Sequence, residues 1–183
     1  MIELIAFLGN PGAEYAGNRH NAGRLAAAAM PPREWKNKYK GLYANDGAVH
    51  FIMPETFMNL SGDSVSTAAS FFKVPVEQIL VVHDELDLPL GTISLKYSGG
   101  LNGHNGLRSL KARLGSSDFW RLRIGIGRPE HGSVFDWVLS DFSAAEKPVL
   151  AQVLPACAEL IRRIIEQGPE SFLPEWAKKN VCL

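Results

Sequence analysis

Residues 2–12 read IELIAFLGNPG, a mostly apolar run that leads directly into a turn. A short apolar run bounded by Gly and Pro is typical of a strand that is buried on both faces of a sheet. The segment therefore predicts an internal strand at residues 2–8, followed by the turn Gly9-Asn10-Pro11-Gly12. Ligands of open α/β sheets bind beyond the carboxyl ends of the strands, so this turn is a candidate part of a binding site.

Strands and helices alternate along the rest of the chain. We predict further strands at 41–45, 48–53, 79–83, 92–97 and 121–127, a Gly-rich loop at 98–103, helices at 19–30, 61–73, 105–114 and 144–167, and a short helix and coil at 169–183. Asp46-Gly47 predicts a hairpin, Ser61 a helix N-cap, and Pro155 a kink or a restart in the last helix. The alternation predicts a single α/β domain over residues 1–183, with a twisted mixed sheet and helices on both faces.

Composition excludes several classes of protein. A chain of 183 residues can bury a core without a disulfide or a metal, and its two cysteines, Cys157 and Cys182, fall in no paired motif. We expect them to be reduced thiols in a cytoplasmic protein. Residues 1–12 lack the basic start of a signal peptide, and no apolar stretch is long enough to span a membrane.

Charge is unevenly distributed although the net charge is zero. Residues 19–40 carry six Lys or Arg and one acid, and residues 96–128 carry seven and one, whereas residues 41–95 carry one base and seven acids. Such separation can create a basic face that binds nucleic acid. Composition alone favours the alternative, which is scattered solvated charge.

Five polar residues are candidates for chemistry. His20 stands near the start of the first helix, and Asp84 ends a strand; a His oriented by a carboxylate can activate water. Asn10, Asn59 and Asn105 lie in a turn or at helix starts, where an amide can hold a peptide carbonyl, a water or an oxyanion. Taken singly, each residue is better explained by a structural or capping role.

Other chemistries find little support in the sequence. The chain has no Gly-x-Ser-x-Gly elbow, and Gly9-Asn10-Pro11-Gly12 is not a Walker loop. His83 and His104 show no metal-ligand spacing, so we expect no metal.

Six motifs in order make the chain resemble the bacterial-type peptidyl-tRNA hydrolases of the first class. The motifs are Leu8-Gly9-Asn10-Pro11-Gly12 with Tyr15, Arg19-His20-Asn21-Ala22-Gly23, the stretch from Pro54 to Gly62 (PETFMNLSG), the stretch from His83 to Pro89 (HDELDLP), Gly103-His104-Asn105-Gly106-Leu107, and the stretch from Phe119 to Pro129 (FWRLRIGIGRP). Any one motif is moderately specific, but six in order are very specific and outweigh the structural readings. The resemblance implies a peptidyl-tRNA hydrolase-like, phosphorylase/hydrolase-like fold. It also implies hydrolysis of the ester that joins peptide to tRNA, so that tRNA from stalled or prematurely released translation products is recycled.

Roles carry over from the family by position. The resemblance implies that His20 is the catalytic base, that Asp84 orients it, and that Asn10 holds the substrate near the scissile ester. Asn59 and Asn105 would bind the peptide main chain and position substrate or water.

The family's remaining contacts fall on two groups of residues. Tyr15, Phe57 and Met58 would line the peptide groove. Lys96 and Arg123 correspond to the basic pair that grips the 5′-phosphate of the tRNA. The resemblance further implies a monomer that needs neither a metal nor an organic cofactor, with peptidyl-tRNA as its partner and no membrane contact.

Three segments depart from the family pattern. Residues 24–32 are short and Ala-rich, which bears on local core packing, and Leu101-Asn102 replaces a more polar or Gly-rich sequence. Asn102 stands where the family usually has glycine, and Asn is the non-glycine residue that best tolerates a positive φ. The region after residue 140 matches weakly and is acidic.

Two alternative functions stand beside the esterase. One is a non-catalytic RNA-binding member of the same fold, similar to the plant organelle splicing factors that resemble these hydrolases. The other is a hydrolase of small esters, which the missing nucleophile elbow disfavours.

Overall fold

A computed structural model describes residues 1–182, which contain one eight-stranded sheet in the order β2-β3-β4-β1-β5-β7-β6-β8. The strands are β1 (Leu4–Phe7), β2 (Lys36–Lys38), β3 (Gly41–Asp46), β4 (Val49–Pro54), β5 (Ile79–Glu85), β6 (Thr92–Tyr97), β7 (Trp120–Gly125) and β8 (Lys179–Asn180). The strands β4, β1, β5 and β7 run parallel, and the remaining neighbours are antiparallel. The predicted mixed α/β sheet is therefore confirmed. The carboxyl ends of the four parallel strands meet at one edge of this sheet, and we call it the carboxyl edge.

Helices cover both faces of the sheet, as predicted. They are α1 (Ala22–Ala28), α2 (Ser61–Phe72), α3 (Asn105–Leu114), α4 (Val134–Val138), α5 (Lys147–Gln167) and α6 (Leu173–Trp176). One core layer joins α1 and α5 to one face through side chains such as Leu80, Val82 and Leu122. The other joins α2 and α3 to the opposite face through Val81 and Leu107. Side chains alternate along the strands, so every polar residue on β5 and β7 can be assigned to one of these faces.

Several local predictions need correction. The helix predicted at 19–30 is a 3-10 turn at Arg19–Asn21 followed by α1, which ends at Ala28. Ser61 is the first residue of α2 rather than its N-cap, which is Leu60, and its hydroxyl donates to the carbonyl of Met58 in the preceding turn. The last long helix begins at Lys147 and continues through Pro155 as one element without a restart.

Three short elements were not predicted: β2, α4 and β8. Each has five residues or fewer, which is too short for a hydrophobic period to show in the sequence. Within the described residues, no helix combines the length and the apolar character needed to cross a bilayer.

Candidate active site

A cleft of about 480 Å³ opens at the carboxyl edge, a size typical of ligand sites. Its walls come from segments of the chain that are far apart in sequence. The lining residues are Asn10, Tyr15, His20, Phe57, Met58, Asn59, Asp84, Glu85, Leu86, Asn102, Gly103, His104, Asn105, Val134, Phe135, Val138 and Leu139. Eight of the ten residues predicted for the site therefore lie in one cleft, and Lys96 and Arg123 do not line it.

His20 reaches Asp84 from the α1 side of the sheet. Its Nδ1 lies 2.8 Å from Oδ2 of Asp84, and both side chains are buried. Gly23 makes this approach possible, because a Cβ there would lie 2.4 Å from the carbonyl oxygen of Val82 and 2.7 Å from that of Leu8. The glycine thus allows the start of α1 to pack directly on the ends of β1 and β5. The predicted hydrogen bond between His20 and Asp84 is present.

His104 reaches the same carboxylate from the α3 side. Its Nε2 lies 2.8 Å from Oδ1 of Asp84, while its Nδ1 accepts the backbone N–H groups of Gly106 and Leu107 and so caps α3. Since Nδ1 is an acceptor, the proton of this imidazole must be on Nε2, which donates to Asp84. The carboxylate consequently accepts one hydrogen bond at each oxygen, and the tautomer of His104 is fixed by the helix cap.

The charge state of the pair follows from burial and contact. Burial disfavours the ionised Asp84, yet electrostatic attraction and hydrogen bonding by the His20 and His104 rings outweigh it and hold the pKa of Asp84 well below its usual range. Burial also disfavours a charged His20, but the charge of Asp84 and its hydrogen bond together raise the pKa of His20 above 6.5. An ionised Asp84 requires that Nδ1 of His20 carry a proton. Nε2 of His20, which has no partner among residues 1–182, is then the basic nitrogen when the ring is neutral.

His83 lies next to this group but remains neutral. It is fully buried, and burial together with the neighbouring His104 lowers its pKa to about 3. Its Nδ1 donates to the backbone carbonyl of Asp84 at 2.7 Å. We infer that His83 packs behind the site and fixes the backbone of Asp84.

Asn10 is held by a network that leaves one donor free. Its backbone N–H donates to Oδ1 of Asn21, and its carbonyl accepts Nδ2 of the same residue, both at 2.9 Å. Its side-chain Oδ1 accepts the backbone N–H of Met58 at 2.7 Å. This last bond orients the amide, so that Nδ2 remains without a partner within residues 1–182 and is available to a substrate oxygen.

The predicted peptide-binding residues lie around this donor. Phe57 is 56% exposed, and its ring meets that of Tyr15 edge to face, with centroids 6.1 Å apart. Met58 is buried beneath the cleft, whereas Asn59 and Asn105 are exposed in its wall. The cleft therefore combines an apolar wall with unpaired amide groups.

Lys96 and Arg123 lie on the sheet face that α2 and α3 cover, on the neighbouring strands β6 and β7. Arg123 is opposite Ser94 in the register, so it is a diagonal neighbour of Lys96 on the same face. Arg123 donates to Glu85 at 3.1 Å and to Ser94 at 2.7 Å. Lys96 forms no hydrogen bond or ion pair with any residue in 1–182. Their binding of a phosphate stays a prediction.

The Gly-rich loop at 98–103 is tied down at two places. Buried Arg121 donates to the carbonyls of Gly99 and Gly100, and Nδ2 of Asn102 donates to Oε1 of Glu85 at 2.7 Å. Asn102 adopts φ 50°, which is the left-handed backbone expected of a residue at a glycine position. The loop therefore shares Glu85 with Arg123.

The donor set at Asp84 fits a hydrogen-bonded triad better than a metal centre. Possible ligand atoms of His20, Asp84 and His104 lie within 4.8 Å of one another. A metal would need the lone pair of Nε2 in His104, and the displaced proton would then sit on Nδ1 against the two N–H groups that it accepts. That no metal is needed stays a prediction.

Four contributors to the site were missed from sequence. His104, Asn21 and Arg19 stand inside the motifs that carry the resemblance, but their roles depend on partners elsewhere in the chain. The wall formed by α4 left no signal, because α4 has only five residues. Their place beside His20 in its motif was the sequence cue for Arg19 and Asn21.

A larger groove of about 1060 Å³ lies at the opposite part of the sheet, between residues 29–46 and α5. None of the predicted site residues lines it. We place the active site in the smaller cleft, because that cleft contains the buried triad and the free donor of Asn10.

Comparison with known proteins identifies the relatives of the chain. The sequence profile of the peptidyl-tRNA hydrolase family matches residues 4–181. The peptidyl-tRNA hydrolase of Treponema pallidum is 43% identical, with 98% of this chain and 96% of the relative covered. That of Pelobacter propionicus is also 43% identical, with 98% and 97% covered. The solved structure of peptidyl-tRNA hydrolase from Acinetobacter baumannii superposes with a TM-score of 0.77 at 36% identity, over 92% of this chain and 93% of that one. These matches confirm the resemblance drawn from the motifs.

Proposed function

This chain belongs to the peptidyl-tRNA hydrolase family and hydrolyses the ester between peptide and tRNA, and we propose that His20 is the base that activates the attacking water. The observation that carries the proposal is the contact of 2.8 Å between Nδ1 of His20 and Oδ2 of Asp84. Asp84 accepts from Nδ1 of His20, which leaves Nε2 as the basic atom at the cleft. A base placed in this way contributes about 10²- to 10⁴-fold to a hydrolysis rate.

The proposed reaction needs one base and one polarising donor. Water bound at Nε2 of His20 attacks the ester carbonyl carbon, its proton passes to His20, and the carbonyl oxygen becomes an oxyanion. The free Nδ2 of Asn10 donates to that oxygen. Collapse of the tetrahedral intermediate breaks the bond to the ribose oxygen, which takes the proton back from His20. An ester is already an activated acyl group, so no covalent enzyme intermediate is required.

The rest of the cleft would hold the peptide through groups that every peptide shares. Asn59 and Asn105 are exposed in the wall and can bind main-chain N–H and C=O groups without regard to sequence. Tyr15, Phe57 and Met58 add apolar contact. The main-chain contacts suit an enzyme that must accept any nascent peptide and recycle its tRNA.

Lys96 and Arg123 are our proposed site for the 5′-phosphate of the tRNA. The two residues lie on the same face of the sheet and on neighbouring strands, which supports this assignment. Lys96 also has no protein partner in residues 1–182 to compete with a phosphate. A planar guanidinium and a mobile ammonium can share one phosphate. We also propose that the protein acts as a one-domain monomer in the cytoplasm, without a metal or an organic cofactor.

The proposal can be tested with purified protein and N-acetyl-aminoacyl-tRNA. Wild type should release N-acetyl-amino acid, and His20→Ala should lose at least about 10²-fold in kcat. His131→Ala is the matched control, because His131 is exposed and outside the cleft. A His20→Ala variant within about threefold of wild type would exclude His20 as the base, and a wild type without activity would favour the RNA-binding alternative.

A further inference from the structure

The cleft has an apolar wall on its α4 side that the proposed reaction does not use. Phe135 is 70% exposed and Val134 is 40% exposed, and both line the cleft that contains His20. The same cleft is also lined by Phe57, which comes from a distant segment and is largely exposed as well. Water-exposed Phe is unfavourable, so two such rings in the walls of one cleft point to an apolar ligand group in that cleft.

Exposure alone does not distinguish Phe135 from other surface aromatic residues. Phe71 is 67% exposed on α2, and its ring contacts Tyr39 and Phe72 away from the active-site cleft. Phe135 differs in its position, because it shares a cavity with the reacting groups. This contrast also makes Phe71 a matched control.

Contacts from outside the helix hold α4 in place even though it is short. A helix of five residues has little stability of its own. Its start is capped by the hydroxyl of Ser133, which accepts the N–H of Asp136 at 3.0 Å. Its Trp137 donates from Nε1 to the carbonyl of Gly127 at 2.8 Å.

Arg19 ties the end of this wall to the catalytic turn. Its guanidinium lies 3.6 Å from the centre of the Trp137 ring and donates at 2.6 Å both to Ser140 and to the carbonyl of Asp141. It also forms an ion pair with Glu146. Because Arg19 adjoins His20, the wall and the base are fixed to the same turn. These contacts set the position of α4, and with it that of Phe135, relative to His20.

The wall packs on a different side of the sheet from the proposed phosphate site. α4 packs beside the turn that carries His20, whose own helix α1 covers one sheet face, whereas Lys96 and Arg123 are on the face covered by α2 and α3. A substrate that reaches from one to the other would place its tRNA near the cations and its peptide along α4.

We propose that Phe135, together with Phe57, makes this enzyme prefer peptidyl-tRNAs whose last one or two residues carry large apolar side chains. This inference rests on the proposed function. The polar amides would bind the shared main chain, and the two rings would add selectivity for the side chain. Aromatic contact of this kind changes affinity by about fivefold to tenfold.

The test compares two substrates on one tRNA, N-acetyl-Phe-Phe-tRNA and N-acetyl-Gly-Gly-tRNA. Wild type should have the higher kcat/KM for the Phe-Phe substrate. Phe135→Ala should lower kcat/KM for that substrate by about fivefold to tenfold and for the Gly-Gly substrate by less than about twofold. Phe135→Leu should retain most of the preference, and Phe71→Ala should match wild type on both substrates.

The outcomes separate this inference from the function on which it rests. Suppose that wild type hydrolyses both substrates, but Phe135→Ala either lowers kcat/KM equally for the two or leaves it unchanged for both. The selectivity assignment is then wrong and the esterase proposal stands. If wild type hydrolyses neither substrate, both proposals fail. Unchanged hydrolysis by Phe71→Ala, together with a selective loss in Phe135→Ala, supports the inference.

Discussion

Two regions of the molecule differ in how their polar groups are already hydrogen-bonded. One is the floor of the cleft, formed by His20, Asp84, His104 and Asn10, and the other is the cation pair, Lys96 and Arg123. In the floor, Asp84 accepts from two histidines, and the Asn10 amide is fixed by Met58, so that His20 and Asn10 each leave one defined atom for the substrate. At the cation pair, Arg123 is bound to Glu85 and Ser94. The floor is thus preorganised, whereas a phosphate has to compete with Glu85 for Arg123.

This difference predicts where substitutions will act. Preorganised groups stabilise a transition state without rearrangement, so changes in the floor should lower kcat. A site that exchanges one partner for another contributes to substrate binding, so changes at the cation pair should appear in KM.

Among substitutions that leave His20 in place, Asp84→Asn should have the largest effect. His104 donates to one side-chain oxygen of Asp84, so the introduced amide would keep its oxygen toward His104 and turn its NH₂ group toward His20. Nδ1 of His20 would then become an acceptor and its proton would move to Nε2, which removes the basic atom. We expect kcat to fall by about 10²- to 10³-fold, within the range that a general base contributes.

The pH profile sharpens this prediction. Wild-type kcat/KM should rise with pH as His20 loses its proton, with a midpoint above 6.5, because Asp84 outweighs burial and raises the pKa of His20. Without the negative charge, the pKa of His20 should fall, so the residual activity of Asp84→Asn should rise at a lower pH. A midpoint that does not move would mean that another group controls the profile.

Asn10→Asp tests the free donor of the floor. The carboxylate can still accept the N–H of Met58, but the Nδ2 donor is lost and a negative charge faces the developing oxyanion. We expect kcat to fall by about 10²-fold with little change in KM, in line with loss of one oxyanion donor. Asn10→Ala would also leave the N–H of Met58 unpaired, so its melting temperature should fall below that of Asn10→Asp. This comparison separates the structural role of Asn10 from its catalytic role. An unchanged kcat in Asn10→Asp would show that Asn10 takes no part in the reaction.

His104→Asn separates the two roles of His104. Asn is a good N-cap and can replace the acceptor at the start of α3, but it is too short to reach Asp84 in the same way. We expect kcat to fall by about fivefold to tenfold while the melting temperature stays close to wild type. His104→Ala should lose both roles and about 1 kcal/mol of stability. Full activity in His104→Asn would show that the bond to Asp84 is dispensable.

The sequence predicted local structure well where one residue type sets a boundary. The helix at 105–114 has the predicted limits, because a turn precedes it and Gly115 ends it in the left-handed region. The sequence could not predict α4, since tertiary contacts of Arg19 and Trp137 hold that helix. His104 was missed for a similar reason: its role depends on a distant carboxylate and on which ring nitrogen caps α3.

The smallest effect is expected at the cation pair. Lys96→Ala is the clean first variant, because Lys96 has no hydrogen bond or ion pair within residues 1–182. For Arg123, Gln is the better replacement, since Ala would leave the buried Glu85 without a charged partner beside Asp84. The two changes combined test the site without disturbing the floor.

We expect Lys96→Ala with Arg123→Gln to raise KM about threefold to fivefold for 5′-phosphorylated peptidyl-tRNA, with kcat nearly unchanged. A substrate without the 5′-phosphate should show a much smaller change. Raising the salt concentration should shrink the loss, because part of the binding free energy comes from release of counterions when lysine and arginine meet phosphate. Both substrates should therefore be measured at two salt concentrations. An equal rise in KM for the two substrates would mean that these side chains do not bind the phosphate. A fall in kcat instead of a rise in KM would contradict the difference between the preorganised floor and the cation pair, whose arginine must exchange one partner for another.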